Sequence, residues 1–153
     1  MFTIARTTDN GFAENFLRRD GRLNRWRYFK RNLVIGFAST IIITVVALMD
    51  VNALGMLSSF GNVLIKMIYA AAQVPVFCLM IRRLHDMDKP ETIAYVYVAL
   101  NLVELISLGN DFLVTEPSMY ENANNLVVGI IALYVLFCPG IKGDNQYGSD
   151  PLE

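Results

Sequence analysis

The sequence predicts an all-α membrane protein with four transmembrane helices, a short interfacial helix before them and an ordered cytoplasmic tail after them. Three observations carry that expectation. Long apolar segments recur four times, the basic residues lie almost entirely on one side of them, and the first segment has no polar face. Of the 153 residues, 54% are hydrophobic and 18% charged, against about a quarter charged in a typical soluble domain. The formal net charge of −1 gives no overall basic character of the kind that draws nucleic acid.

The first span is Leu33 to Met49, a stretch without charge. It reaches about 26 Å, close to the roughly 30 Å hydrocarbon core. Ile41, Ile42, Ile43, Val45 and Val46 cover all its sides, whereas a core helix of a soluble bundle keeps a polar stripe. The second span runs from about Val63 to Ile81 and holds Lys66 and Pro75. The third, about Thr92 to Leu108, contains Asn101 and Glu104. The fourth is built on Leu126 to Cys138 and takes in Asn122 to Asn125 to complete a crossing. The expected single domain, 1–153, thus has spans at about 33–49, 63–81, 92–108 and 122–138.

Charge placement sets the expected orientation. Arg6, Arg18, Arg19, Arg22, Arg25, Arg27, Lys30 and Arg31 precede the first span, Arg82, Arg83 and Lys89 separate the second from the third, and Lys142 follows the fourth. The other two loops carry no Lys or Arg. Positively charged short loops stay cytoplasmic, so segments 1–32, 82–91 and 139–153 are expected inside a bacterial inner membrane. The early basic residues are unlike a cleavable leader, which makes the first span an uncleaved anchor. Phe12 and Phe16, four apart, suit a short helix on the inner membrane surface, capped by Asp9 or Asn10. Trp26, Tyr28 and Phe29 are expected at headgroup level.

Lys66 and Glu104 are the charged residues inside the spans. Counted by helical rise, Lys66 and Glu104 lie about 24 and 20 Å from the inner surface, and Gln73 and Asn101 about 14 and 15 Å. The stripe Lys66, Ala70, Gln73, Phe77 is therefore expected to face Tyr97, Asn101, Glu104, Leu108, with Ala70 to Ala72 allowing close approach. Such residues serve either a structural pair or an ion path.

Three further segments read as more than loop. They are Gly21-Arg22-Leu-Asn24-Arg25-Trp-Arg-Tyr-Phe29, Arg82-Arg83-Leu-His85-Asp86, and a tail rich in turn residues. In that tail Pro139, Gly140, Gly143, Asn145, Tyr147, Gly148, Asp150 and Pro151 give turn chemistry, and it is expected to fold back with Asp144 or Asp150 near the arginines. Asp86 and Asp88 are candidates to pair with Arg22 or Arg25. The ordered trio resembles domain of unknown function 805, the YhaH-like family of small bacterial inner-membrane proteins. Its pattern is similar to Gly-Arg-x-Ser/Asn-Arg-x-x-Tyr-Trp, then Arg-Arg-Leu-His-Asp, then Pro-Gly-x-x-Gly-x-Asn-x-Tyr-Gly-x-Asp-Pro. Phe29 stands where the family has Trp, and Met87-Asp-Lys-Pro-Glu-Thr92 replaces its Gly-x-Ser-Gly-Trp. The resemblance implies a four-span membrane protein and carries no catalytic activity or cofactor.

Function is expected to be non-enzymatic: a structural or accessory factor that binds anionic lipid headgroups, a membrane-protein partner or a second copy at its inner face. The alternative is a small oligomeric transporter or channel subunit using Glu104 and Lys66. Arg22, Arg25, Arg82 and Arg83 are the candidate anion site. His85, the sole histidine, is the only candidate general base, with Asp86 to orient it. Cys78 and Cys138 lack the spacing of a metal site, and a reducing cytoplasm disfavours their pairing.

Overall fold

The structure, a computed structural model, describes residues 11–54, 59–107 and 119–151. Five helices form these residues: α1 (Phe12–Phe16), α2 (Arg25–Leu54), α3 (Ser59–Asp86), α4 (Thr92–Ser107) and α5 (Met119–Phe137). Among the described residues there is no strand beyond an isolated bridge between Asn145 and Gly148. Three helices, α2, α3 and α5, are long and apolar enough to cross a membrane, and Thr92–Val103 of α4 forms a shorter apolar helix.

Each boundary has a local cause. Asn24 caps α2, its Oδ1 accepting from the Arg27 backbone N–H at 2.8 Å. With 30 residues, α2 extends about 45 Å and outruns the apolar stretch at both ends. Pro75 lies inside α3, which continues through it to Asp86. There Asp88 takes a left-handed conformation (φ 51°). Lys89 N–H bonds the Leu84 carbonyl at 2.9 Å and Asp88 N–H the His85 carbonyl at 3.2 Å. These are the two closing bonds of a Schellman ending, with aspartate where glycine is usual. Gly11 occupies the N-cap position of α1, and the caps expected at Asp9 and Asn10 lie outside the described residues.

The helices pack in sequence order, α2 along α3, α3 along α4 and α4 along α5, with α5 closing back on α2 and α3. The apolar window of α2 has no residue buried in the protein; Phe37, Ile41 and Met49 are all more than 60% exposed. At roughly 25 cal/mol per Å² of apolar surface, such a face is stable only where water is excluded from it. The core sits at one end of the bundle, the end that carries the basic motifs. Leu79, Met80, Ile81 and Leu84 of α3 meet Leu23, Tyr28, Ala94 and Val135 there. Tyr28 is therefore a core residue and not the headgroup-level ring expected of it; Trp26, two positions earlier and about 200° around the helix, is exposed.

Between α3 and α4 each of two contacts joins one residue of an expected stripe to a residue outside the other. Tyr69 Oη donates to Asn101 Oδ1 at 2.9 Å, and Phe77 meets Tyr95 edge-on at 5.0 Å. Asn101 also donates to the Tyr97 carbonyl. Gln73 is buried nearby on α3, and among the described residues its Oε1 has no hydrogen-bond partner. The side chain of Glu104 and residue Leu108 lie outside the described residues.

Candidate functional site

The apolar stretch of α3 stops at Ile81, and the last turn of the helix, Arg82 to Asp86, stands beyond it. Every side chain in that turn is buried. Their surroundings come from α1, from Gly21–Asn24 before α2, from the α3–α4 turn, and from the end of α5 with the tail after it.

Asp86 is the hub. Its Oδ1 accepts from Arg22 at 3.2 Å and its Oδ2 accepts from Arg83. Arg83 is fully buried and bonds two further acceptors, the carbonyls of Val135 (3.0 Å) and Cys138. These are carbonyls at the C-terminal end of α5, which lack intrahelical partners and carry the negative end of the helix dipole. One guanidinium thus ties the end of α3 to the end of α5. Arg22 does the same for the tail: its NH1 reaches the carbonyls of Gly143 (2.5 Å) and Gly148 (3.4 Å), and its NH2 that of Ile141 (2.5 Å). A planar fork with five donors suits this multiple bonding; an ammonium would not.

The tail lies directly on Asp86. Ile141 N–H donates to the Asp86 carbonyl at 2.9 Å, and a Cβ on Gly140 would collide with the Asp86 carboxylate. Asn145 donates to the His85 carbonyl at 2.8 Å and accepts the Tyr147 N–H through its Oδ1. Asp150 accepts the Gly143 N–H at 3.0 Å, a bond that fixes a turn with Gly143 at φ 80°. Burial pushes the Asp86 carboxyl above the ordinary carboxylate range, against the pull of Arg83 and Arg22. The same burial pulls the Arg83 guanidinium down.

His85 has a different set of neighbours. Its Nδ1 faces the Gly21 carbonyl at 3.3 Å, its Nε2 faces Glu91 Oε1 at 3.1 Å, and its ring stacks on Tyr147 with centroids 3.8 Å apart. Asp86 does not orient it, contrary to the sequence expectation. Successive helical residues point about 100° apart and do not face each other, and both Asp86 oxygens are held by arginines. Glu91 fills that role, and its other oxygen accepts from Arg19 at 3.2 Å. Arg19 in turn bonds Tyr95 and lies over the Phe77 ring.

The four-arginine anion site expected from the sequence is dispersed. Arg22 and Arg83 point inward and spend their donors on protein acceptors. Arg82 is buried and donates to the Glu14 carbonyl, while its own carbonyl accepts from Leu23. Arg25 alone of the four is exposed. It lines a cleft of about 180 Å³ together with Lys142 and Asp150, above Arg83 and Asp86. Among the described residues no group of His, Cys, Asp and Glu could hold a metal ion, and Cys78 and Cys138 are free thiols.

Glu91 and Arg19 are members of the site that lie outside the three sequence motifs. Asn24 carried a readable signal, a capping residue directly before an apolar helix. Glu91 carried none, since it lies in the short turn after α3 and one of its two partners, Arg19, is 72 residues away.

The fold and the clasp define a helical protein of membrane character whose three motifs bind one another. A family model described as protein of unknown function (DUF805) matches residues 16–149, and the chain belongs to that family. No curated protein matches the chain, and neither does any solved structure.

Proposed function

We propose that the chain is a multi-pass protein of the bacterial cytoplasmic membrane, with α2 to α5 as four spans and both termini inside. In this reading it is a non-enzymatic structural or accessory factor that binds anionic lipid or a partner protein at its basic face. The observation that supports it best is the division of the cations. The motif cations Arg22 and Arg83 turn inward onto Asp86, while Arg25, Arg27, Lys30, Lys89 and Lys142 are exposed around them. Cations near an anionic leaflet contribute roughly 1 kcal/mol each, and short basic loops favour the inner side.

Native mass spectrometry from detergent tests the lipid arm. The wild type should retain phosphatidylglycerol in preference to phosphatidylcholine, and a variant with Arg25, Arg27, Lys30 and Lys142 all changed to Gln should lose that preference. Equal retention of both lipids by the wild type would remove lipid binding and leave only the protein-partner arm. A reporter fused after Glu153 that is reached only from the periplasm would overturn the topology.

A second reading, an oligomeric transporter or channel subunit, draws on the buried Gln73, whose oxygen has no partner among the described residues, and on the Tyr69–Asn101 pair. Proteoliposome flux that falls in Glu104→Gln would favour it; flux indifferent to that change would remove it.

A further inference from the structure

Three depressions on the surface share two lining residues, Arg25 and Phe29. The cleft beside the tail shares Arg25 with an apolar crevice of about 380 Å³ between the start of α2 and the end of α5. That crevice is walled by Trp26, Phe29, Leu136 and Phe137. It shares Phe29 with a second apolar groove of about 400 Å³, which follows α2 past Gly36 to Thr40. From Arg25 to Thr40 the helix rises about 22 Å, more than the depth of one leaflet's hydrocarbon, which is about 15 Å.

The mouth and the floor differ in chemistry. Arg25, Arg83 and Lys142 at the mouth outnumber Asp86 and Asp150. Asp86 is already bonded to two guanidiniums, and Asp150 accepts the Gly143 N–H. Among the described residues no salt bridge engages Arg25 or Lys142. Lys30 adds a cation 4.9 Å above the Trp26 ring. The walls below are apolar, and Asn32, the amide among them, spends its N–H on the Tyr28 carbonyl. Gly36 leaves the groove open, because a Cβ there would meet nothing within 4 Å.

We propose that this continuous groove seats one anionic phospholipid, its phosphodiester at Arg25 and Lys142 and one acyl chain lying along α2 across Gly36. The proposal rests on the anionic-lipid arm of the function above and names its site. The cationic mouth selects the headgroup, the apolar channel selects a chain, and the length of the channel fits a chain that ends near the bilayer centre.

Trp26 is the only tryptophan in the chain and lines the crevice, so its fluorescence reports occupancy. The protein is reconstituted in phosphatidylcholine vesicles containing acyl-brominated phosphatidylglycerol or, separately, acyl-brominated phosphatidylcholine. The brominated anionic lipid should quench Trp26 with an apparent affinity about 30-fold higher, the effect of two interfacial cations at roughly 1 kcal/mol each. Arg25→Gln should cut the preference to about fivefold. Gly36→Leu should reduce quenching by filling the channel, while Gly129→Leu, which adds the same side chain to open space on α5, should behave as wild type. Melting temperatures of the three variants check that folding is unaffected.

Equal quenching by both lipids, or a preference untouched by Arg25→Gln and Gly36→Leu, overturns the site. If the wild type nonetheless retains phosphatidylglycerol in the mass spectrometer, the broader lipid reading survives that failure. Conversion of a dimer to a monomer by Gly36→Leu would assign the groove to a second copy and also overturn the proposal.

Discussion

Arg83 and Asp86 stand one helical turn apart at the buried end of α3 and are bonded to each other, each with its remaining capacity spent on another segment. Arg83 reaches α5 and Asp86 reaches Arg22, so one i,i+3 pair joins the chain before α2, the end of α3 and the end of α5. Burial works against both charges, and a buried ion pair is weak evidence of net stabilisation. What the arrangement supplies is a fixed path for the tail, because the Arg22 and Arg83 donors are met by carbonyls of Val135, Cys138, Ile141, Gly143 and Gly148.

Breaking the pair is a different matter from the net worth of having it. Asp86→Ala leaves two buried guanidiniums without their carboxylate, a loss of about 3–5 kcal/mol. At ~2–4 °C per kcal/mol for a chain of this size, the melting temperature in detergent should fall by at least about 6 °C. Asp144→Ala, at an exposed tail position, is the control. Equal melting of the two variants would show that the hub is dispensable.

Gly140 is required for space and not for backbone freedom. Its missing Cβ is where the Asp86 carboxylate sits, and that carboxylate cannot yield because two arginines hold it. Gly140→Ala should lift the tail, cost about 1–3 kcal/mol as overpacking does, and speed tryptic cleavage after Lys142. Gly129→Ala places a methyl group in open space within α5 and should be neutral or stabilise by up to about 1 kcal/mol. Unchanged proteolysis in Gly140→Ala would mean that the tail is not held by this contact.

The helices were legible in the sequence because hydropathy is a local property: four apolar stretches mark α2 to α5, closely for α4 and α5, while α2 and α3 run beyond their apolar stretches at both ends. The motifs were legible as residue types, since glycines, arginines and a buried-end aspartate at fixed spacing point to close packing. Their pairing was not. Arg22 bonds the carbonyls of Ile141, Gly143 and Gly148, and a carbonyl carries no residue-specific signal. Which acid meets which base depends on the path of the tail, and that path depends on Gly140 passing over Asp86. Tyr28 was misplaced for a related reason: its aromatic neighbours suggest an interface, while its helical phase turns it toward Leu79 and Leu84.

Asp88 holds the left-handed position after α3, a conformation that costs a non-glycine side chain roughly 1 kcal/mol. Its Oδ1 accepts from Gln146 Nε2 at 3.0 Å, so a useful replacement keeps an oxygen. Asp88→Asn does so and tolerates the backbone better. It should raise the melting temperature by about 1–3 °C, corresponding to ~0.5–1 kcal/mol. A lower value would show that the charge matters more than the backbone.

The His85–Tyr147 stack separates ring packing from hydroxyl chemistry. The rings are nearly parallel, 6° apart, and the contact pins the tail beside the Glu91–His85 bridge. Tyr147→Phe keeps the ring and should melt within about 1 °C of wild type, whereas Tyr147→Ala should lose about 0.5–1.5 kcal/mol beyond its burial term. Because Asn145 still donates to the His85 carbonyl in both variants, proteolysis after Lys142 should rise only modestly in Tyr147→Ala and less than in Gly140→Ala. The opposite order would make the aromatic stack, and not the Asp86 crossing, the principal anchor of the tail.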